Sequence, residues 1–236
     1  MSLVCIVDDT DPDIHYSGSW ETGLSVDANS NEYKSTFHSS QADGNWLDYT
    51  FFGTEISVYG TLNASGINNP PNVSFSIDDG SPQAFNSTGS VRVFDSALIS
   101  SHVLLYRASD LTKNAPHTLT IKTGTLTSPA ALFYFDFFTV STEADKASGS
   151  IIVDDRDLLI SITGSWGLQG IIGNYMETTR QGPPPDGGTA TFRFNGTSVA
   201  VYGTTLSPLG ANTTAAIRFN VDNSQVLDFT GPPNST

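Results

Sequence analysis

One segment of this 236-residue chain occurs twice, and that repeat limits what the chain can fold into. The sequence IVDD at residues 6–9 returns at residues 152–155, and GSW at residues 18–20 returns at residues 164–166. Both recurrences have the same offset (152 − 6 = 146 and 166 − 20 = 146), so the two copies run in register without a gap. A period of this length is too long for a solenoid unit and is typical of a whole domain. The chain is therefore predicted to be one module written twice.

The hydrophobic pattern within each copy is typical of short β-strands. Residues 46–52 and 55–60 alternate apolar and polar side chains on either side of a Gly-Thr pair, and we interpret them as a hairpin. Residues 191–195 and 198–203 repeat this pattern in the second copy. The helical period of 3.6 residues is not sustained over ten or more residues anywhere in the sequence. The pattern predicts an all-β sandwich or barrel.

Further strands are predicted at residues 4–8, 73–78, 103–106, 117–121 and 131–140, with a shorter one at 33–37 and a loop at 38–44. Residues 131–140 are apolar on both faces, which is typical of a central strand buried between two layers.

The strands also set the expected domain organisation. Residues 143–149 are small and charged, and we interpret them as a linker between repeat 1 (1–142) and repeat 2 (150–236). Counterparts of the last three strands of repeat 1 do not follow in repeat 2, so the second sandwich is expected to be truncated. Such a sandwich exposes sheet edges. The chain is then expected to be a fragment, or an oligomer in which repeat 2 borrows strands.

Five segments, taken in chain order, carry a family resemblance: VDDTDPDIHYSGSW, FFGTEISVYGT, SFSIDDG, HTLTI and FYFDFFTV. They resemble the tandem extracellular domains of fungal cell-surface proteins, which are similar to the galactose-binding-like jelly roll of many carbohydrate-binding modules. The resemblance covers nearly all of repeat 1 and repeat 2 as far as about Asp228. It implies two tandem jelly-roll β-sandwiches. Members of this family often continue into a transmembrane helix. The fold also hosts enzyme appendages and adhesion modules, so it does not by itself assign a function.

Composition excludes some partners and favours one location. The net charge of −14 (10 − 24) argues against binding to nucleic acid or to an anionic membrane surface. No apolar stretch is long enough to span a bilayer, so membrane insertion of this chain is not expected. The chain contains six Asn-x-Ser/Thr sequons, which favour a secreted or cell-surface glycoprotein. They lie at Asn63, Asn72, Asn86, Asn195, Asn212 and Asn234.

A dense group of carboxylates near the start of the chain is a candidate metal site, formed by Asp8, Asp9, Asp11 and Asp13. Hard oxygen ligands of this kind suit calcium. The resemblance adds Asp136, because many galactose-binding-like modules hold a structural calcium between the first strand region and the last strand. The alternative is an ordinary Asx turn with solvated carboxylates. Leu159 replaces Asp13 in the second copy, so only the first two carboxylates are expected to be architectural.

The candidate ligand-binding residues surround Trp46, which has no counterpart in the second copy. We interpret Trp46 as a ring in a polar loop that stacks on a sugar, with hydrogen bonds from Asp43, Asn45 and His38. Tyr59 faces away from the predicted core, and two interpretations stay open for it: it lines a groove on the outer sheet, or it covers the second layer.

Catalysis is not expected. The sequence lacks the Gly-x-Ser-x-Gly elbow, and the paired acids Asp78 and Asp79 fall in a predicted hairpin turn. The most favoured function is non-catalytic, lectin-like binding of a glycan, for example a cell-wall glycan, through loops at one end of the sandwich. The alternatives are a structural or adhesion ectodomain without a small ligand, and a glycan-active hydrolase, which would need two carboxylates across a cleft.

Overall fold

The computed structural model of the chain describes residues 2–24, 32–40, 42–62, 70–86, 100–125, 132–170, 174–182, 187–203, 216–222 and 224–230. These residues form 18 β-strands and two 3₁₀ turns, which confirms the all-β prediction. The chain divides into two compact units, residues 1–192 and residues 193–236. None of the described residues belongs to a helix that could cross a membrane.

Unit 1 begins with two antiparallel sheets. Sheet A contains seven strands: β1 (Ser2–Asp8), β3 (Trp20–Gly23), β4 (Phe37–Ser40), β6 (Glu55–Leu62), β9 (Ser100–Ala108), β11 (Phe133–Glu143) and β12 (Ser150–Ile151). Sheet B contains five strands in the order β2-β5-β10-β7-β8: β2 (Ile14–Ser17), β5 (Trp46–Phe52), β7 (Val73–Ile77), β8 (Gln83–Ala84) and β10 (Pro116–Thr123).

A single apolar core joins the two sheets, which makes this part of the chain a β-sandwich. Sheet A contributes side chains that include Ile56, Val58, Phe135 and Phe138, and sheet B contributes side chains that include Leu47, Phe51, Phe75, Leu119 and Ile121. All of them are buried, and each buried side chain of this size stabilises the fold by roughly 1.5–3 kcal/mol.

Strand β11 is the central strand of sheet A, as its apolar sequence predicts. It pairs with β6 along one side and with β4 and then β1 along the other. A β-bulge interrupts its pairing with β6 between Phe135 and Phe137. Bulges re-aim a side chain, and this one lies at Asp136, a carboxylate that is fully buried.

The predicted hairpin at residues 46–60 is wrong, because its two strands lie in opposite sheets. Strand β5 pairs with β2 and β10, whereas β6 pairs with β11 and β9. The connection is tied to the end of β11, since Thr54 N donates to Ser141 O at 2.9 Å. Alternation predicts two half-buried strands, but β6 is buried on both faces, and Leu47 and Ile56 approach one core from opposite sides. In repeat 2, β16 (Thr189–Phe192) pairs with β13 (Ile160–Thr163), and residues 198–203 form no strand in the described part of the chain.

The prediction of a strand at 33–37 followed by a loop is also wrong. Residues Tyr33–Ser35 form a 3₁₀ turn, and the strand β4 comes after it. The buried residues of β4 are Ser39 and Ser40, which point to opposite faces, so the buried positions of this strand carry no apolar signal in the sequence.

The remaining described strands form small two-stranded sheets. Within unit 1, β14 (Gly167–Gln169) pairs with β15 (Thr179–Gln181), and a 3₁₀ turn lies at Tyr175–Glu177. The described strands of unit 2 are β17 (Ala216–Val221) and β18 (Ser224–Thr230), which pair with each other. Strand β12 pairs with β1, so the segment 143–149 leads directly onto sheet A. The repeat boundary at 142/150 stays a prediction, and the division between compact units lies at 192/193.

Candidate functional site

Trp46 lies on the outer face of sheet B and not in a loop, because it is the first residue of β5. Its neighbour Leu47 points into the core, and successive side chains of a strand point to opposite faces. The Trp46 side chain is 36% exposed. In the ladder it lies opposite Ser17 of β2 and Lys122 of β10, and Lys122 lies opposite Ser74 of β7. The structure thus places an exposed indole in a row of polar residues across the sheet.

We call the whole outer face of sheet B, including Trp46, the open face. The part of it away from Trp46 is also polar. His15 Nδ1 and Asp48 Oδ1 are 3.1 Å apart, and the hydroxyls of Thr50 and Thr118 are 3.0 Å apart. Phe52, at the far end of β5, is the other exposed aromatic residue of that strand. An antiparallel sheet with one buried and one solvated face has this alternation.

Asp43 lies at the Trp46 end of the open face, where three segments meet. Its Oδ2 accepts a hydrogen bond from Thr125 Oγ1 at 2.8 Å. Asn72 Nδ2 donates to Thr125 O at 3.2 Å, so Asn72 belongs to the same edge. Of the predicted ligand-binding residues, Trp46 and Asp43 are the two that the structure brings together near solvent.

Asn45 has a structural role beneath this edge. Its amide nitrogen donates to Ser19 O at 2.5 Å and to Ser40 Oγ at 2.9 Å, and its Oδ1 accepts from Ser19 N at 3.1 Å. Gly18 has a φ of 93°, and a Cβ there would overlap Asn45 Oδ1. Asn45 therefore holds the β2–β3 connection in place, with its amide groups already bonded.

His38 and Tyr59 lie away from the open face. His38, on β4, places its Nδ1 2.6 Å from Asp9 Oδ2 and stacks on Tyr16 with ring centroids 4.0 Å apart. Tyr59 is 3% exposed, stacks on Phe137 at 4.7 Å and lies on the far side of sheet A. This burial agrees with the interpretation that Tyr59 covers a second layer.

A cluster of buried carboxyl groups occupies the interior beside the bulge of β11, formed by Asp8, Asp9, Glu32 and Asp136. Both oxygens of Asp9 are engaged, because Oδ1 accepts from Thr36 Oγ1 at 2.6 Å and Oδ2 contacts His38. One oxygen of each remaining carboxyl is also bonded: Asp136 Oδ1 to Tyr33 N, Glu32 Oε1 to Thr61 Oγ1, and Asp8 Oδ2 to Thr10 Oγ1 and Lys34 Nζ.

Within this cluster, three buried carboxyl oxygens are left without a hydrogen-bond partner: Asp8 Oδ1, Glu32 Oε2 and Asp136 Oδ2. His102 Nε2 lies 3.8 Å from Asp136 Oδ2. Burial raises the pKa of Asp136 well above its usual range, and the negative charges of Glu32 and the two aspartates raise it further. A proton or a cation would each relieve this charge.

The calcium prediction stays a prediction, and its expected ligand set changes. Asp13 N donates to Asp11 Oδ1 at 3.0 Å, which is the Asx turn foreseen as the alternative. The carboxyl oxygens without a hydrogen-bond partner belong to Asp8, Glu32 and Asp136, but these three residues do not form a group that could hold a metal ion as they stand. Within the described ranges, three or more His, Cys, Asp or Glu residues are nowhere grouped so as to hold a metal ion. Glu32 was missed in the sequence, although the pattern Tyr-x-x-Thr that follows it recurs in the second copy.

A second ion pair, between His117 and Asp78, was also missed. The Nδ1 proton of His117 is donated to Asp78 Oδ2 at 2.6 Å, and its Nε2 proton is donated to Thr112 O at 2.9 Å. Since both ring nitrogens donate, the imidazole is held in its charged form. The hydrogen bond raises the pKa of His117 and lowers the pKa of Asp78. Positive φ angles at Asp78 and Asp79 agree with the predicted tight turn.

Three predicted glycosylation acceptors lie in the described residues, and all three are exposed: Asn72, Asn86 and Asn195. The other three lie outside the described residues: Asn63, Asn212 and Asn234.

No family model matches the chain. No curated protein matches it either. Among solved structures it is similar to a two-domain esterase active on acetylated mannans, with 14% identity and a TM-score of 0.44 over 59% of this chain and 36% of that one. A family two carbohydrate esterase from Cellvibrio japonicus shares 13% identity, with a TM-score of 0.40 over 61% and 35%. The catalytic domain of a GH87 alpha-1,3-glucanase shares 16% identity, with a TM-score of 0.38 over 60% and 28%. Likeness at this level assigns neither a family nor an activity to the chain.

Proposed function

We propose that the open face of sheet B binds a carbohydrate without catalysing a reaction, and that Trp46 is its stacking platform. The observation that carries the proposal is an exposed indole on the solvated face of a sheet, with hydroxyl and charged groups beside it in the ladder. The apolar faces of sugar rings pack on an indole, and neighbouring polar groups fix their orientation.

The surroundings of the two sheets favour this face over the other one. The outer side of sheet A carries Tyr59 and Phe137, and it is packed against Ile152 and Tyr175 from the start of repeat 2. Tyr59 Oη donates to Met176 Sδ at 3.7 Å in the same contact. The outer side of sheet B keeps its exposed indole.

The positions of the carboxylates favour binding over hydrolysis. Asp48 on the open face is paired with His15, and Asp43 at its edge accepts from Thr125. The largest group of carboxyls is buried in the interior, where a glycosidic bond would not reach it. We also propose a secreted or cell-surface location, which the exposed sequons support, and a cell-wall or cell-surface glycan as the partner. The resemblance to fungal cell-surface domains stays a prediction.

The test compares Trp46→Ala with Leu158→Ala, a control at a 98% exposed position in repeat 2. The wild-type protein, produced in a host that adds no N-linked glycans, is screened on an array of cell-wall oligosaccharides, and the highest responder is titrated calorimetrically against each variant. We expect Trp46→Ala to weaken binding at least tenfold, about 1.4 kcal/mol, and Leu158→Ala to bind as wild type. Both variants should melt as wild type, since both positions are exposed.

Two results would contradict the proposal. One is a wild-type protein that binds nothing on the array, which would favour a structural or adhesion role. The other is hydrolysis of an array glycan that is abolished by Asp48→Asn, which would favour the hydrolase.

A further inference from the structure

Asn72 lies on the same face of sheet B as Trp46 and at the same end of the strands. Gly124 N donates to Asn72 O at 2.8 Å, so Asn72 extends the pairing of β7 with β10 by one position. It is two residues from Ser74, and residues two apart in a strand share a face. Ser74 lies opposite Lys122, which lies opposite Trp46. Two ladder spacings, roughly 10 Å, therefore separate the Asn72 strand from the Trp46 strand.

The Asn72 amide is positioned over the neighbouring strand. A Cβ at Gly124 would come within 2.6 Å of Asn72 Nδ2, so the amide occupies space that a side chain there would need. Nδ2 donates to Thr125 O, and Thr125 Oγ1 in turn donates to Asp43. This chain of contacts runs from Asn72 across β10 to the segment that leads into Trp46.

We infer that Asn72 carries an N-linked glycan whose first sugars cover the Trp46 ring, so that glycosylation closes the binding face. Asn72, Val73 and Ser74 form the acceptor sequon, and Asn72 is exposed. This inference rests on the proposed function, because it concerns the regulation of the same face. The attached sugars offer the indole the same chemistry as an external glycan does.

The modification is chemically compatible with the contacts of Asn72. An oligosaccharide carried on a lipid diphosphate is the donor. The bond between its C1 and the diphosphate oxygen breaks, and the lipid diphosphate leaves with the bonding electrons. A bond from Asn72 Nδ2 to C1 forms, and the proton that Nδ2 loses passes to solvent. The remaining Nδ2 proton is sufficient for the hydrogen bond to Thr125 O.

A tethered sugar competes strongly with a free one. A group held by a short flexible linker acts at an effective concentration on the order of millimolar. An external glycan that binds the open face with similar affinity, and whose free concentration is below millimolar, would be displaced by the glycan on Asn72. Loss of the Asn72 glycan would then expose the face to outside partners.

The test reads out the cover on Trp46 directly, without an external ligand. The full chain is produced in a eukaryotic secretory host as wild type, Asn72→Gln, Ser74→Ala and Asn195→Gln. Ser74→Ala removes the same sequon while it keeps the Asn72 amide, and Asn195→Gln removes an exposed sequon in unit 2. Glycopeptide mass spectrometry measures occupancy, and hydroxyl-radical footprinting measures the oxidation rates of Trp46 and Phe52.

We expect Asn72 to be occupied in the wild type and Trp46 to oxidise several-fold faster in Asn72→Gln and Ser74→Ala. Phe52, at the far end of β5, should oxidise equally in all four proteins, and Asn195→Gln should match the wild type. An unmodified Asn72, or an equal Trp46 rate in occupied and unoccupied protein, overturns the inference. Failure of the array experiment on unglycosylated protein would overturn the proposed function instead.

Discussion

The Asp-Asp segment occurs twice in unit 1, as Asp8-Asp9 in the first version and Asp154-Asp155 in the second. In both versions an aspartate accepts the same hydrogen bond from a threonine, but the surroundings differ. Thr36 Oγ1 donates to Asp9 Oδ1, and Thr178 Oγ1 donates to Asp155 Oδ1, each at 2.6 Å. Each threonine follows a 3₁₀ turn whose second and third residues have positive φ angles between 52° and 61°. The paired residues are 27 and 23 positions apart, so in both copies the Asp-Asp segment and a later 3₁₀ turn come together in the same way.

Burial is where the two versions differ. The Asp9 side chain is 0% exposed and is paired with His38, whereas the Asp155 side chain is 25% exposed and lies 3.8 Å from Arg180. The first version also has Glu32 and Asp136 beside it, and Asn174 takes the place of Glu32 in the second. The buried carboxyl cluster therefore depends on the central strand β11, whereas the hydrogen bond from threonine to aspartate does not.

The largest expected effect separates the two aspartates. Asp9→Ala should cost about 3–5 kcal/mol, because Asp9 is fully buried and its removal leaves Thr36 Oγ1 and the half-buried His38 without their partner. Asp155→Ala should cost about 1 kcal/mol or less, because its ion pair is partly solvated. Urea unfolding of both variants at pH 7 measures the difference. Equal losses would show that burial does not distinguish the two versions.

Asp136→Asn tests whether the cluster of the first version holds a proton. Because the pKa of Asp136 is raised in the folded state, the native protein binds the extra proton, and wild-type stability falls as pH rises above the unfolded value of about 3.9. Asparagine keeps the acceptor for Tyr33 N and removes the charge. The variant should match the wild type at pH 3.5 and exceed it by about 1–3 kcal/mol at pH 8.

The same variant also tests the calcium prediction. If the open oxygens of Asp8, Glu32 and Asp136 bind calcium, the added ion should raise the melting temperature of the wild type and not that of Asp136→Asn. A chelator would then lower the wild-type value. A melting temperature that calcium and chelator leave unchanged, together with a more stable variant, would assign the cluster to a proton.

Sequence patterns predicted the strands well and their partners poorly. The central position of β11 follows from its two apolar faces, and the turn at Asp78 follows from its residue types. The pairing of β5 could not be predicted, because alternation is the same for a hairpin and for two strands in opposite sheets. Strand β4 was missed because serines fill its buried positions.

The candidate site shows the same limit. The sequence singled out Trp46, and its exposure on a sheet face depends on β2 and β10, which are distant in the chain. His38 is polar and adjacent to a loop in sequence, yet long-range packing pairs it with Asp9. Asn72 was identified as a sequon, and its place beside Trp46 follows only from the register of three strands.

The smallest effect concerns the turn that follows β7 and its counterpart after β17. Asp78 and Asp222 both have positive φ, but only the first turn is followed in its repeat by a histidine strand. Asp78→Asn should cost about 1 kcal/mol at pH 5.5, because it removes the charge that holds the His117 imidazolium. The raised pKa of His117 makes this stabilisation complete below about pH 6.5, and it is lost as pH rises through the folded value. The lowered pKa of Asp78 makes this stabilisation complete above about pH 3.9, and it is lost as pH falls through the folded value.

Urea unfolding should therefore show the loss of stability in Asp78→Asn at pH 5.5 and little loss at pH 9, with Asp222→Asn unchanged at both. A loss in Asp78→Asn that does not vary with pH would show that the turn geometry, and not the ion pair, distinguishes the two turns.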